Sequence, residues 1–123
     1  MELKINNTVY MFKFGIGFVR ELDKKYSINQ NGLKFGFGLN ATLPLLLSND
    51  VVILSDILKN ANATETPKIS QNELDSYLES CDNIEEVFEG VLKELRESNV
   101  SKLALKTAEE NLQTAQLNQA EEA

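Results

Sequence analysis

Leu3-Lys4-Ile5-Asn6-Asn7-Thr8-Val9-Tyr10-Met11-Phe12-Lys13-Phe14 is the stretch that decides the fold. β-favouring residues lie on both sides of Asn6-Asn7, a pair that tolerates the positive φ of a type I′ turn, so residues 2 to 14 read as a β-hairpin. The turn sets the register, with Ile5 facing Thr8 and Leu3 facing Tyr10. Leu3, Ile5, Tyr10, Phe12 and Phe14 then share one face, while Glu2, Lys4 and Lys13 go to the other. An aromatic face of this size needs a cover. Gly15 and Gly17 end the strand, and Phe18, Val19, Leu22 and Tyr26 recur at helical spacing, so this first helix is the natural cover.

Beyond it, Ser27 to Gly32 is rich in turn residues and should stop the helix. Gly32-Leu33-Lys34-Phe35-Gly36-Phe37-Gly38-Leu39 then alternates glycine with bulky apolar residues. It lacks the Lys-Ser/Thr ending of a phosphate loop and does not meet the dinucleotide fingerprint, so its glycines read as allowing a bend with close backbone packing. Pro44 fits the first turn of a short helix running through Leu45, Leu46 and Leu47. Asn49 or Asp50 should cap the next helix, with Val51, Leu54, Ile57 and Leu58 as its apolar stripe.

Asn60 to Pro67 has the composition of a linker. Ser70-Gln71-Asn72-Glu73 is a capping box that opens a helix with Leu74, Tyr77, Leu78 and Cys81 on one face. Asp82 or Asn83 should cap a further helix with Ile84, Val87, Phe88, Val91, Leu92 and Leu95 inward. After Ser98 the apolar content thins. Leu105, Ala108, Leu112 and Ala115 keep a heptad spacing for too few repeats to establish a coiled coil. The expected fold is therefore α+β, an N-terminal β-hairpin packed on a mainly helical domain. Residues 1–105 form a single domain with a linker-like segment near 60–69, and residues 106–123 form a mobile or marginally helical, acidic Gln/Ala-rich tail.

Composition narrows the function. The chain has 123 residues, 42% of them apolar and 25% charged, which suits one globular domain. Its net charge of −7 is unevenly spread, with +2 on residues 1–60 and −9 on residues 61–123. No basic cluster stands out that could track a phosphate backbone, so nucleic acid is not expected as a partner. The longest apolar stretch, Leu43 to Leu58, is broken by Ser48-Asn49-Asp50 and falls short of the roughly 20 residues a membrane span takes. The N-terminus lacks the features of a secretory signal, and the Asn-X-Ser/Thr matches at Asn6, Asn40, Asn62 and Asn99 are discarded with it.

Histidine is absent, which removes the serine, cysteine and zinc mechanisms that depend on it. Cys81 is the single cysteine and reads as a small core hydrophobe. Glu85, Glu86 and Glu89 read as a solvated helix face, because a catalytic carboxylate needs desolvation or a specific partner. Asp82-Asn83-Ile84 fails the calcium-loop pattern at its third position. No enzyme, no cofactor and no metal are expected. What stands out is the density of large apolar side chains at irregular sites, Phe35, Phe37, Leu39, Leu45, Leu46 and Leu47, which read either as ordinary core or as a surface, and in the second case are the candidate partner-binding residues.

Three blocks carry a resemblance. They are Leu3-Lys4-Ile5 through Val9-Tyr10-Met11-Phe12-Lys13-Phe14-Gly15-Ile16-Gly17-Phe18-Val19-Arg20-Glu21-Leu22-Asp23; Gly36-Phe37-Gly38-Leu39 with Ala41, Pro44 and Leu46; and Leu92-Lys93-Glu94-Leu95 through Ser98-Asn99-Val100-Ser101-Lys102-Leu103. In that order the chain resembles the tail assembly chaperones of siphophages and prophages of Gram-positive bacteria, over residues 1 to about 105. The resemblance implies a protein of the host cytoplasm that binds the tape-measure protein, keeps it soluble and helps tail-tube subunits gather round it. It also implies self-association into open spirals, contact with the tail-tube protein through a frameshifted long form, and no catalytic residues. The tail after Lys106 matches no motif of that family. The other class that suits a small acidic non-catalytic chain is a regulatory interaction protein, an antitoxin-like or anti-repressor module. The two differ in what they bind: a very long helical chain, or one globular enzyme or DNA-binding protein.

Overall fold

A computed structural model describes the backbone of residues 1–122 and the side-chain environment of residues 1–119. Along these residues the order is β1 (Glu2–Ile5), β2 (Thr8–Met11), α1 (Ile16–Lys25), β3 (Ser27–Gln30), β4 (Leu33–Gly36), α2 (Gly38–Leu47), α3 (Val51–Asn62), α4 (Gln71–Ser80), α5 (Ile84–Glu97) and α6 (Lys102–Glu122). The fold is α+β, with two antiparallel hairpins set on a helical body.

β1 and β2 pair with Leu3 opposite Tyr10 and Ile5 opposite Thr8, as the turn requires. Asn6 and Asn7 have φ of 51° and 65°, the left-handed values of a type I′ turn. Ile5, Tyr10, Phe12 and Phe14 are buried and Leu3 is half-buried, whereas Glu2, Lys4 and Lys13 are exposed. The cover differs from the expected one. α1 reaches this face through an edge-on contact of Phe18 with Phe14, ring centres 5.2 Å apart, but packs chiefly on α2 and α3. The polar contacts that seat the hairpin come from the other helices. The Lys13 N–H donates to Ala61 O at the end of α3 (2.9 Å), and Ser98 Oγ, just past α5, donates to Phe14 O (2.6 Å).

Glu73 supplies the contact from α4. Ser70 Oγ accepts from the Glu73 N–H, which is half of the expected capping box, but the Glu73 carboxylate does not return to Ser70. It accepts from Tyr10 OH at 3.3 Å and from Asn6 Nδ2 at 3.2 Å, so the tertiary partner displaces the local one.

The segment whose composition resembles a linker carries a buried pin. Asn62 Nδ2 donates to Met11 O (2.9 Å) and Pro67 O (3.1 Å), and its Oδ1 accepts from the Ile69 N–H (2.9 Å). Asp50 caps α3 as expected, accepting from the N–H groups of Val52 and Ile53. The stripe is shifted, because Val51 is exposed and Ile53 takes its place beside Leu54, Ile57 and Leu58. α3 packs on α1, α2 and α4, so it is buried on more of its circumference than one stripe describes. Pro44 lies well inside α2 and not in its first turn, because the helix already starts at Gly38. Asn83 stands at the start of α5 but makes no capping bond with its side chain. Cys81 is half-buried.

The C-terminal segment is helical, as the expectation of a marginal helix allowed. Residues 102–122 form one helix, which packs on α2 and α5. Leu105 and Ala108 are buried and Leu112 is half-buried, so the first part of this helix is docked on the body. From Gln113 to Gln119 every side chain is exposed, and Ala123 lies outside the described residues. The reason is that α2 offers an apolar face at which few, small residues suffice. No helix among the described residues is long and apolar enough to cross a membrane.

Two outcomes follow. Phe12→Ala should cost about 3 to 5 kcal/mol in chemical denaturation, as a buried large-to-small change; a loss under about 1 kcal/mol would mean that the hairpin face is not core. A chain ending at Gln113 should match the full chain in stability, while one ending at Leu105 should lose roughly 1 to 3 kcal/mol through the uncovering of α2. Equal midpoints for the two truncations would show that the docked part of α6 contributes nothing.

Candidate functional site

The glycine-rich segment builds a second hairpin in place of the expected bend. Asn31 and Gly32, with φ of 53° and 79°, form the left-handed pair of a type I′ turn. β3 and β4 pair with Ile28 opposite Phe35 and Gln30 opposite Leu33. Alternation therefore puts Ile28, Leu33 and Phe35 on one face of the hairpin. They are 52%, 62% and 47% exposed. A lone two-stranded hairpin is marginal in water, and one that shows three large apolar residues to solvent is unusual.

Its base is fixed to the body at several points. The Phe37 N–H donates to Tyr26 O (2.9 Å), and the Gly38 N–H donates to Asp23 Oδ1 (2.8 Å). Asp23 thus caps α2 from a neighbouring helix, since Phe37 at the cap position has no side chain able to do so. A Cβ on Gly36 or Gly38 would overlap the Asp23 side chain, so both glycines permit this approach. Tyr26 OH donates to Asp56 Oδ2 and Lys25 Nζ pairs with Asp56 Oδ1, each at 2.8 Å. Both partners of the nearly buried Asp56 carboxylate come from the end of α1 and the start of the hairpin.

The candidate residues divide into three groups. Phe35 and Leu45 are exposed; Phe37, Leu39 and Leu47 are half-buried; Leu46 is fully buried in the core. They do not form one patch. Phe37 and Leu39 sit at the start of α2 beside Val19 and Ala104, whereas Leu45 and Leu47 are at its far end. There the Asp50 N–H donates to Leu45 O (3.1 Å), which sets Leu45 against the start of α3, where Val51 and Val52 are also exposed. The sequence-based candidates do not include Ile28, Leu33 or Val52, and Val51 is expected there in the apolar stripe of α3 rather than at the surface. Asn31-Gly32, the strongest short-range hairpin signal, was there to place the first two.

Among the described residues no group of three His, Cys, Asp or Glu side chains is arranged to hold a metal ion, and no buried side-chain polar atom lacks a partner. The surface offers binding chemistry. With the geometry in place, the comparison with known families is decisive: residues 2–110 match a family model described as Phage tail assembly chaperone protein, TAC. The chain belongs to that family. No curated protein and no solved structure matches it. The match ends at residue 110, inside the docked part of α6 and short of the exposed second half of that helix. This tail assembly chaperone displays apolar side chains on a hairpin and at helix ends, while its buried side-chain polar atoms among the described residues are all partnered.

Tyr26 provides a handle on the hairpin's base. Burial, and then the hydrogen bond to the Asp56 carboxylate and its charge, push its phenol from near 10 up to about 12. A raised folded-state pKa means that this contribution to stability is fully present below pH 10 and is lost as pH rises through about 12. In an ultraviolet titration of phenolate formation, one of the three tyrosines should ionise near pH 12, and Tyr26→Phe should remove that step. A profile that keeps the step in Tyr26→Phe would show that the bond to Asp56 does not hold in solution.

Proposed function

We propose that the chain binds the tape-measure protein of its phage in many copies in the host cytoplasm, keeps it soluble and helps tail-tube subunits assemble round it. It does so as a binding protein, without catalysis. The observation that carries this reading is the apolar face of β3–β4, which presents Ile28, Leu33 and Phe35 to solvent from a rigidly held base. Leu45, together with half-buried Phe37, Leu39 and Leu47, extends the apolar surface available to a client. The chain's own membership of a tail assembly chaperone family supports an elongated tail protein as the client. Self-association along that client fits a chain that is small relative to any extended partner, because a head-to-tail interface that does not close generates a filament.

Contacts of this kind survive salt, since screening weakens exposed charges beyond a Debye length of about 8 Å at physiological ionic strength and leaves apolar burial nearly unchanged. Co-expression with the tape-measure protein should raise that protein's soluble yield. Phe35→Asp and Leu33→Asp, confirmed as folded, should reduce the rescue severalfold, and Leu45→Asp should reduce it less. Full rescue by the folded variants would remove the proposed surface, and no rescue and no complex with the unaltered chain would remove the tape-measure reading.

A further inference from the structure

α3 and α4 lie side by side and leave between them a groove of about 560 Å³, lined by Val51, Val52, Ser55, Asp56, Gln71, Asp75, Leu78 and Glu79, with Lys25 at one rim. Its apolar part is Val51, Val52 and Leu78, of which Val52 is 67% exposed. Its charged part is uneven. Asp56 is already neutralised by Lys25 and bonded to Tyr26. Asp75 and Glu79, one turn apart on α4, make no ion pair among the described residues.

Asp75 is held in a fixed orientation. Ser55 Oγ and Gln71 Nε2 both donate to its Oδ1, at 2.5 and 2.8 Å, and Gln71 Nε2 also donates to Ser55 Oγ at 2.7 Å. These bonds keep its carboxyl below the usual carboxylate range, so it stays ionised at any physiological pH. Its other oxygen makes no hydrogen bond among the described residues. From Gln71 to Glu79 the wall is about 12 Å long, enough for roughly two turns of a partner helix. Charge complementarity then selects the partner: apolar side chains to meet Val51, Val52 and Leu78, and Lys or Arg one turn away to meet Asp75 and Glu79.

We propose that the groove between α3 and α4 is a docking site for a basic, apolar-striped helix of the client, separate from the apolar face of β3–β4 and sensitive to salt where that face is not. That the helix belongs to the client rests on the function proposed above; the chemistry of the groove does not, and is tested without the client.

The probe is a synthetic 18-residue helical peptide with leucine along one stripe and lysine one turn from each leucine, titrated into the full chain and followed by fluorescence anisotropy. The unaltered chain should bind it, and affinity should fall as salt is raised. Asp75→Asn combined with Glu79→Gln should weaken binding about 3- to 10-fold, the range of two partly exposed ion pairs. Val52→Asp should weaken it as well. Glu85→Gln combined with Glu89→Gln on the exposed side of α5 should leave it within about twofold, the scatter of a substitution away from the contact. Equal loss in the α5 pair would mean general attraction to an acidic protein and overturn the proposal. So would undiminished binding of a peptide with glutamate in place of lysine, or no binding at all. If the chain alone self-associates and Val52→Asp abolishes it, the occupant is a second copy and the client assignment falls. Each of these results is independent of whether co-expression rescues the tape-measure protein.

Discussion

The carboxamide of Asn62, almost wholly excluded from solvent at the end of α3, holds three separate pieces of backbone together. It serves the carbonyls of Met11 and Pro67 and the N–H of Ile69, so β2, the end of α3 and the approach to α4 share one side chain. The Ile69 N–H, which is buried, would cost about 1 to 3 kcal/mol if left without a partner. No apolar residue of the same size could take the place. Once β2 and α4 are both referred to α3, Glu73 of α4 is within reach of Tyr10 and Asn6, and the aromatic face closes against the helices.

The two hairpins obey the same local rule and meet opposite fates. Each turns on two residues of positive φ, Asn6-Asn7 and Asn31-Gly32, and each puts apolar side chains on a single face. In the first, that face is closed by the ends of α3 and α5 and by the ring of Phe18. In the second it stays in water, held at its base by Asp23 and by the Tyr26–Asp56 bond. A marginal element fixed only at one end, with its apolar side unpartnered, is suited to complete its packing on another molecule. That contrast separates the structural hairpin of this chaperone from the hairpin proposed to meet a client.

Charge follows the same division. The acidic surplus of residues 61–123 is spread over α4, α5 and α6, where most carboxylates are exposed and keep the surface soluble. Asp75 is different because Ser55 and Gln71 orient it beside exposed valines. Under the proposed function, an elongated partner would be held by two kinds of contact, since apolar burial supplies affinity and charge supplies orientation and approach.

Local chemistry in the sequence determined the first hairpin and its register, the Asp50 cap, the Ser70 cap and the inward faces of α4 and α5, because each depends on residues within a few positions of one another. The second hairpin was equally legible at Asn31-Gly32, but the alternating glycines beside it are also compatible with a bend. Only the tertiary structure decided the rest. Whether Leu46 is core and Leu45 surface depends on what packs against α2. Glu73 turns from its own cap to Tyr10 because the hairpin lies there, and Asn62 turns a linker-like composition into a buried pin. The helix after Lys102 is docked as far as Leu112 because α2 receives it. Spacing along the chain states which side chains share a face; whether that face is buried or presented to a partner depends on distant residues and can be read only from the packed structure.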